Sequence, residues 1–125
     1  MNTDSNNPVV PILVQEALFI TDSNSVILHV NEAFTKINGY SAAEAVGQTP
    51  FLFSSGRHDG DFYTAMRNQV ISTGAWQGEI WNRRKNGEDY PAWLTITAIK
   101  DTDGIARHLL ATLADISEQK QAAVN

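Results

Sequence analysis

Alternating apolar and polar positions predict five β-strands, two near the start of the chain and three in its second half. Short runs at 17–22 and 26–31 are separated by Ser-Asn-Ser and are typical of a hairpin. Longer runs at about 76–84, 90–100 and 106–116 predict three further strands. The pattern therefore places most helical signals between the second and third strands, with a further one at the C-terminus and a short apolar turn or helix at 10–16.

The segment between those strands carries three helix signals. Asn31 is a good N-cap, and Gly39 is suited to end the short helix that follows. Ser41 and Glu44 have the spacing of a capping box. A longer helix, which an aspartate at 59 or 61 caps, is indicated by apolar residues four positions apart: Phe62, Met66 and Val70. This order of elements predicts an α+β fold.

The stretch EIWNRRKNGEDYPAW, residues 79–93, predicts a hairpin with Asn86-Gly87 in its turn. A two-residue turn would pair residues whose numbers sum to 173. A three-residue loop, 86–88, gives pairs that sum to 174 and uses Gly87 as a bulge residue. We favour the second register because it puts Trp81 opposite Trp93 on one face and small or aliphatic side chains on the other. That second face would hold Gly78, Ile80, Asn82, Ala92, Leu94 and Ile96.

The two faces of this hairpin predict different contacts. Asn82 is the one strongly polar residue of the inner face, so it either bonds a neighbouring backbone group or donates to a ligand from a pocket wall. Trp81 and Trp93 would form an outward aromatic pair. Either the apolar segment VPILVQE, residues 10–16, or a second subunit would cover them, and burying a few hundred Å² stabilises by several kcal/mol at ~25 cal/mol per Å². We therefore expect a homodimer or capping face there.

Composition limits the remaining classes of protein. The 125 residues are 42% hydrophobic, which suits one folded domain, and the net charge of −5 predicts no nucleic-acid partner. The adjacent cations 83–85 are expected to form a solvated turn, partly neutralised by Glu88 and Asp89. The absence of cysteine excludes disulfides and thiolate metal sites. No signal peptide or long apolar run occurs, so we expect a cytoplasmic location without membrane insertion by this segment.

No catalytic motif stands out along the chain. It contains no Gly-x-Ser-x-Gly, no phosphate-cradling glycine loop and no His-Glu-x-x-His, and its carboxylates are scattered over predicted turns and caps. The three histidines have no metal-ligand spacing. We therefore expect no enzyme and no metal site.

The pieces VNEAFTKINGYS, NRRKNGE and DIS, in this order, resemble the PAS sensory-domain family over about residues 14–120. The chain is similar to the type that precedes diguanylate cyclase, phosphodiesterase or histidine kinase domains in bacterial signalling proteins. The resemblance implies a five-stranded antiparallel sheet with short helices and one longer helix on one face, and a pocket between. It also implies a flexible segment or cap at 1–13, the PAS domain at 14–116, and the start of a signalling helix or linker at 117–125.

The resemblance also bears on cofactors. Light-sensing relatives form a flavin adduct through a cysteine where this chain has Pro50, and their flavin-contacting glutamine falls at Leu113. Adduct photochemistry is therefore excluded. FAD-binding relatives share Asn82, but their glutamate and tryptophan fall at Pro50 and Arg67, so one of three contacts survives.

A haem-binding reading depends on one residue. His58 falls where haem-binding relatives carry their histidine, while the arginine that contacts oxygen in such proteins falls at Gly78. The alternatives for His58 are a helix cap or a side chain in solvent. A haem gas or redox sensor with His58 as axial ligand, an FAD-binding domain and a domain without any cofactor all stay open.

The sequence predicts a signal-sensing and dimerising module that regulates a covalently linked output domain. A small-molecule ligand would shift the sheet or dimer geometry. The alternative is a ligand-free dimerisation domain, in which Trp81, Trp93 and the apolar N-terminal segment supply the whole function. The candidate pocket residues are Phe34, Ile37, Phe62, Met66, Ile80, Asn82, Leu94 and Ile96.

Overall fold

A computed structural model describes the backbone of residues 16–124 and the side chains of residues 16–122. Its five strands form one antiparallel sheet in the order β2-β1-β5-β4-β3. The strands are β1 (Ala17–Asp22), β2 (Ile27–Val30), β3 (Ala75–Arg83), β4 (Asp89–Lys100) and β5 (Ala106–Asp115). The predicted α+β class with a five-stranded antiparallel sheet is confirmed. Residues 10–15 of the VPILVQE segment lie outside the described part of the chain.

The four α-helices occupy the positions that the sequence signals indicate, and a 3₁₀ segment lies in a stretch where no helix was predicted. They are α1 (Glu32–Asn38), α2 (Ala42–Ala45), a 3₁₀ segment (Pro50–Phe53), α3 (Gly60–Thr73) and α4 (Ser117–Val124).

Local hydrogen bonds explain where these helices begin and end. Asn31 Oδ1 accepts from the Phe34 N–H at the start of α1, and the Asp59 carboxylate accepts from the Phe62 N–H at the start of α3. Ser41 and Glu44 form the complete capping box of α2. α3 ends at Gly74, whose φ of 89° is the left-handed conformation that glycine adopts without a Cβ penalty. The predicted caps are therefore present.

The core lies between the sheet and the helices on its inner face. Phe19 of β1, Phe34 of α1 and Phe53 of the 3₁₀ segment contact one another edge to face, with ring centroids 5.6–5.8 Å apart. Trp76 of β3 packs against Phe62 of α3 in the same way, at 6.0 Å. These aromatic contacts fix the helices to the sheet and leave a hollow between them.

The hairpin register differs from both registers considered above. Paired residues in β3 and β4 have numbers that sum to 172, so Trp81 lies opposite Pro91 and Trp93 opposite Glu79. The predicted direct Trp81–Trp93 pair is therefore wrong. The loop does contain three residues with Gly87 at φ 94°, but it is 85–87 instead of 86–88. The left-handed residue is the last of such a loop, after a type I turn, and our prediction had placed Gly87 in the middle.

The assignment of side chains to the inner and outer faces of the hairpin is unaffected by this correction. Pair sums of 172 and 174 both pair even-numbered residues with even-numbered ones. Ile80, Asn82 and Leu94 are buried on the inner face, while Trp93 is 42% exposed on the outer face. A shift of one residue would have put the inner side chains of one strand on the same face as the outer side chains of the other, whereas a shift of two keeps the two inner sets together. The predicted assignment of inner and outer side chains is confirmed.

Candidate functional site

A partly open cavity of about 840 Å³ lies between the inner face of the sheet, α3 and the 3₁₀ segment. This volume is in the range of small-molecule sites. Its wall is mostly apolar and is contributed by four strands and two helical segments. The main apolar wall residues are Phe19, Phe53, Met66, Val70, Ile80, Leu94, Ile96 and Leu113.

One corner of the cavity is polar, and we call Ser54, Tyr63 and Asn82 the polar corner. The hydroxyl oxygens of Ser54 and Tyr63 are 3.5 Å apart, and Ser54 pairs with Asn82 through an isolated antiparallel bridge. Asn82 is only 3% exposed and yet lines the cavity. The backbone of Asn82 holds the segment after the 3₁₀ turn against the edge of the sheet, whereas the predicted side-chain contact with a backbone group or a ligand stays a prediction.

The structure brings five of the eight predicted pocket residues to the cavity. Met66, Ile80, Asn82, Leu94 and Ile96 line it, whereas Phe34, Ile37 and Phe62 do not. Phe34 is fully buried among the core aromatic rings. Ile37 packs against the core, and Phe62 contacts Trp76 and His58 instead of lining the cavity. Helical spacing identified the inner side of α3 at Met66, but it could not show that Trp76 fills the space beside Phe62.

Sequence reasoning missed several wall residues. Phe19 could have been found, because alternation in β1 places it on the same face as the buried Ala17 and Thr21. Tyr63 could have been found from its position one turn before Met66 on α3. Ser54 follows the 3₁₀ segment in an irregular stretch, and no periodic signal points to it.

His58 does not line the cavity. Its Nε2 accepts a hydrogen bond of 2.9 Å from the Trp81 N–H, and its ring stacks on Phe62 at 4.2 Å. Because β3 is an edge strand, the Trp81 N–H has no partner strand and His58 supplies the missing acceptor. A nitrogen used in this way cannot ligate iron in the cavity, so the residues present do not fit a haem held by His58. Among residues 16–124, no group of His, Asp and Glu has a metal-binding arrangement.

The wall also does not fit a flavin adduct. Leu113, at the position of the flavin-contacting glutamine, is fully buried and offers no hydrogen bond, and the chain has no cysteine. Pro50 lies at the start of the 3₁₀ segment and lines the cavity. Beyond the polar corner, the polar side chains of the wall are serines and threonines, together with Arg67 and Lys100.

Arg84 connects the hairpin tip to the C-terminal end of β5. Its Nη2 donates to Asp115 at 2.8 Å, its Nη1 donates to the Ile37 carbonyl at 2.8 Å, and its guanidinium lies 4.1 Å above the Tyr90 ring. Only 18% of its side chain is exposed. The expectation of a solvated charge run is therefore wrong for Arg84, because a planar guanidinium satisfies several acceptors at once where a tip meets a helix end.

Asp115 links this junction to α4. Its Oδ1 accepts from the N–H of Ser117, the first residue of α4, at 2.9 Å, while its Oδ2 accepts from Arg84. Burial alone would raise the pKa of Asp115, but the hydrogen bonds from Ser117 and Arg84 outweigh burial and hold the pKa below its usual value. We call Arg84, Asp115 and Ser117 the C-terminal junction.

Tyr90 and Asn38 form a buried polar pair beneath the junction. The Tyr90 hydroxyl donates to Asn38 Oδ1, and burial raises the pKa of Tyr90 to about 12. The Nδ2 of Asn38 has no hydrogen-bond partner among the described residues. The pair ties the end of α1 to β4 and packs directly under Arg84.

The outer face of the sheet carries the two tryptophans that we expected to be covered. Arg57 lies over the Trp81 ring at 4.0 Å and forms an ion pair with Asp89 at 3.1 Å, so Trp81 is covered from within the chain. Trp93 remains 42% exposed. The Lys120 ammonium of α4 reaches Glu79, which lies opposite Trp93, at 3.0 Å. The described part of the chain thus leaves Trp93 as the exposed aromatic centre of this face.

A helix-covered cavity on one face of a five-stranded antiparallel sheet is the architecture of a sensory domain. The comparisons with known proteins agree. The sequence profile described as PAS domain matches residues 15–118, and the chain belongs to this family. Among the described residues, none of the helices has the length and apolarity needed to cross a bilayer.

Two solved structures and one curated relative illustrate the similarity. The PAS domain of a protein from Colwellia psychrerythraea has a TM-score of 0.77 and 24% identity, covering 84% of this chain and 89% of that one. The light-state dimer of the fungal photoreceptor Vivid has a TM-score of 0.73 and 25% identity, covering 90% and 87%. The nitrogen fixation regulatory protein of Klebsiella oxytoca is 32% identical over 101 residues, which are 81% of this chain and 20% of that protein. The chain thus spans about a fifth of that relative.

Proposed function

We propose that this PAS domain senses a small molecule in its cavity and passes the signal to a covalently linked output domain through the C-terminal junction and α4. The observation that carries the proposal is the apolar cavity of about 840 Å³ with its polar corner. A regulatory role also agrees with the similarity to a nitrogen fixation regulatory protein.

A short stretch of β5 joins the cavity to the junction. Leu113 lines the cavity, Asp115 is two residues further along the same strand, and α4 begins at Ser117. A ligand that contacts Leu113 and favours one position of β5 would change the partner geometry of Asp115. Such an effect requires the ligand to have different affinities for the two positions.

The proposal is tested by identifying a small molecule that co-purifies with the protein. Mass spectrometry of the denatured protein, together with an absorbance spectrum, would identify a co-purified compound. Ala111→Phe fills the cavity wall, and Ala114→Phe places the same ring on the outer face of the same strand as a matched control. We expect the compound, or thermal stabilisation by a compound found in a ligand screen, to disappear in Ala111→Phe and persist in Ala114→Phe. Equal behaviour of the two variants would contradict sensing in this cavity.

A second candidate function is ligand-free dimerisation through the outer face. The exposed Trp93 favours it, and the Vivid structure is described as a dimer. Trp93→Glu should convert a dimer to a monomer in sedimentation experiments, whereas Asn68→Glu adds the same charge to an exposed position of α3, on the other side of the sheet, and should not. A dimer that persists in Trp93→Glu would remove this face as the interface.

A further inference from the structure

Most basic side chains of this chain form ion pairs with carboxylates of the described residues, and a few do not. All nine lie within residues 16–124, and seven of them form ion pairs with carboxylates within 4.0 Å. The two that have no carboxylate partner among the described residues are Arg67 and Lys100, and both line the cavity. Among the described residues, neither Asp nor Glu lines it, although the chain has 14 acidic residues. The cavity is therefore cationic in an acidic protein.

The sequence around Arg67 agrees with an unpaired cation at the cavity. The residues three and four positions away on α3 are Tyr63, Thr64, Val70 and Ile71, so no carboxylate of its own helix is placed to pair with it. An arginine offers a planar fork of donors that matches a carboxylate or sulfonate.

Large apolar side chains stand at the open side of the same cavity. Phe51 of the 3₁₀ segment is 76% exposed and Ile71 of α3 is 71% exposed, and both line the cavity together with Arg67. Exposed apolar side chains that border a hollow are typical of a ligand site. The opening thus combines an apolar surface with a positive charge, and the interior behind it is mostly apolar apart from the polar corner.

Resting on the proposed sensing function, we infer that the cavity binds an amphipathic organic anion whose apolar body lies against the sheet and whose acidic group pairs with Arg67 and Lys100. The pairing need not involve both cations at once, because both side chains are exposed and flexible. Neutral apolar compounds of the same shape should bind without using either cation.

Two dyes that share one aromatic ring system separate the contribution of the charge to binding from that of the apolar contact. The first is 8-anilinonaphthalene-1-sulfonate, and the second, N-phenyl-1-naphthylamine, has the same ring system without the sulfonate. Arg67→Gln and Lys100→Gln should each weaken binding of the sulfonate dye roughly three- to tenfold, as expected for an exposed charge-assisted pair, and should change binding of the neutral dye less than about twofold. Decanoate should displace both dyes.

Two controls make each outcome decisive. Lys36→Gln removes one positive charge from an ion pair with Glu32 outside this cavity, so it should leave both dyes unaffected. If Lys36→Gln weakens binding of the sulfonate dye as much as Arg67→Gln does, the effect comes from net charge alone and the inference is overturned. The proposed ligand sensing survives that result, because the neutral dye still binds. If Ala111→Phe leaves both dyes bound as before, the cavity takes neither, and the inference and the proposed sensing site both fail.

Discussion

The interaction that most clearly holds the C-terminal junction together is the set of contacts made by Arg84. Replacement by methionine keeps an unbranched apolar side chain over the Tyr90 ring and removes all of the hydrogen bonds. The Ile37 carbonyl and the Asp115 carboxylate then lose their donor, and both are partly shielded from water by the surrounding elements. We expect a substantial loss of stability from a residue that the sequence places in a charged turn.

The magnitude follows from the exposure of each partner. Glu88 is 64% exposed on its side chain and should contribute at most about 0.5 kcal/mol. The bonds to the Ile37 carbonyl and to Asp115, which is 27% exposed, should each contribute about 1–1.5 kcal/mol. The cation–π contact with Tyr90 adds about 0.5–1 kcal/mol. These contributions total about 2.5–4.5 kcal/mol, and because methionine keeps an apolar contact with the Tyr90 ring, Arg84→Met should lower the free energy of unfolding by about 2–4 kcal/mol.

Urea denaturation followed by circular dichroism measures this change. With an m-value of about 2 kcal/mol per molar, the midpoint should fall by roughly 1–2 M. Arg83→Met is the matched control, since the Arg83 side chain is 49% exposed and pairs only with Asp89, which Arg57 also contacts. It should cost less than about 1 kcal/mol. Equal losses in the two variants would refute the structural distinction between these adjacent arginines.

Three further predictions concern single contacts. Because the native pKa of Asp115 is lowered, its stabilising effect is present above the usual carboxyl range and is lost as pH falls, so the stability difference between wild type and Asp115→Asn should shrink below about pH 4; a constant difference would contradict this. Gly78→Ala brings a Cβ to 2.9 Å from the Trp76 ring and should cost about 1–2 kcal/mol in chemical unfolding, whereas Gly60→Ala meets open space and should not destabilise. Because the pKa of Tyr90 is raised to about 12, wild type should lose more stability than Tyr90→Phe between pH 10 and 12, and parallel pH profiles would refute this.

Much of the fold was readable from the sequence because local signals and global pairing agree. The caps at Asn31, Ser41 and Asp59 require only short-range hydrogen bonds, and the structure contains each of them. The inner and outer faces of the hairpin followed from alternation. The exact register did not, since it depends on which loop residue adopts the left-handed conformation, and Gly87 alone fits two loop placements.

The roles of individual polar residues were harder to predict from the sequence. Arg84 and its neighbours look alike in sequence, and only the meeting of the hairpin tip with α1 and β5 distinguishes a buried guanidinium from exposed ones. The same holds for His58, whose acceptor role depends on the free edge of β3. The unpaired state of Arg67 and Lys100 required knowledge of every other ion pair in the described chain.

A variant of the C-terminal junction allows ligand binding in the cavity to be measured separately from transmission of the signal to α4. Arg84 does not line the cavity, so Arg84→Met should bind 8-anilinonaphthalene-1-sulfonate as wild type does. In wild type we expect the dye to change hydrogen exchange at the α4 amides, because Asp115 holds both Arg84 and the first turn of that helix. In Arg84→Met the dye should no longer alter that exchange, because a shift of β5 could no longer change the contact between Asp115 and Arg84. If the dye still changes exchange in α4 by the same amount, the signal bypasses the junction. The Lys120–Glu79 contact on the outer face would then be the connection to examine, because it joins α4 to the sheet without Asp115.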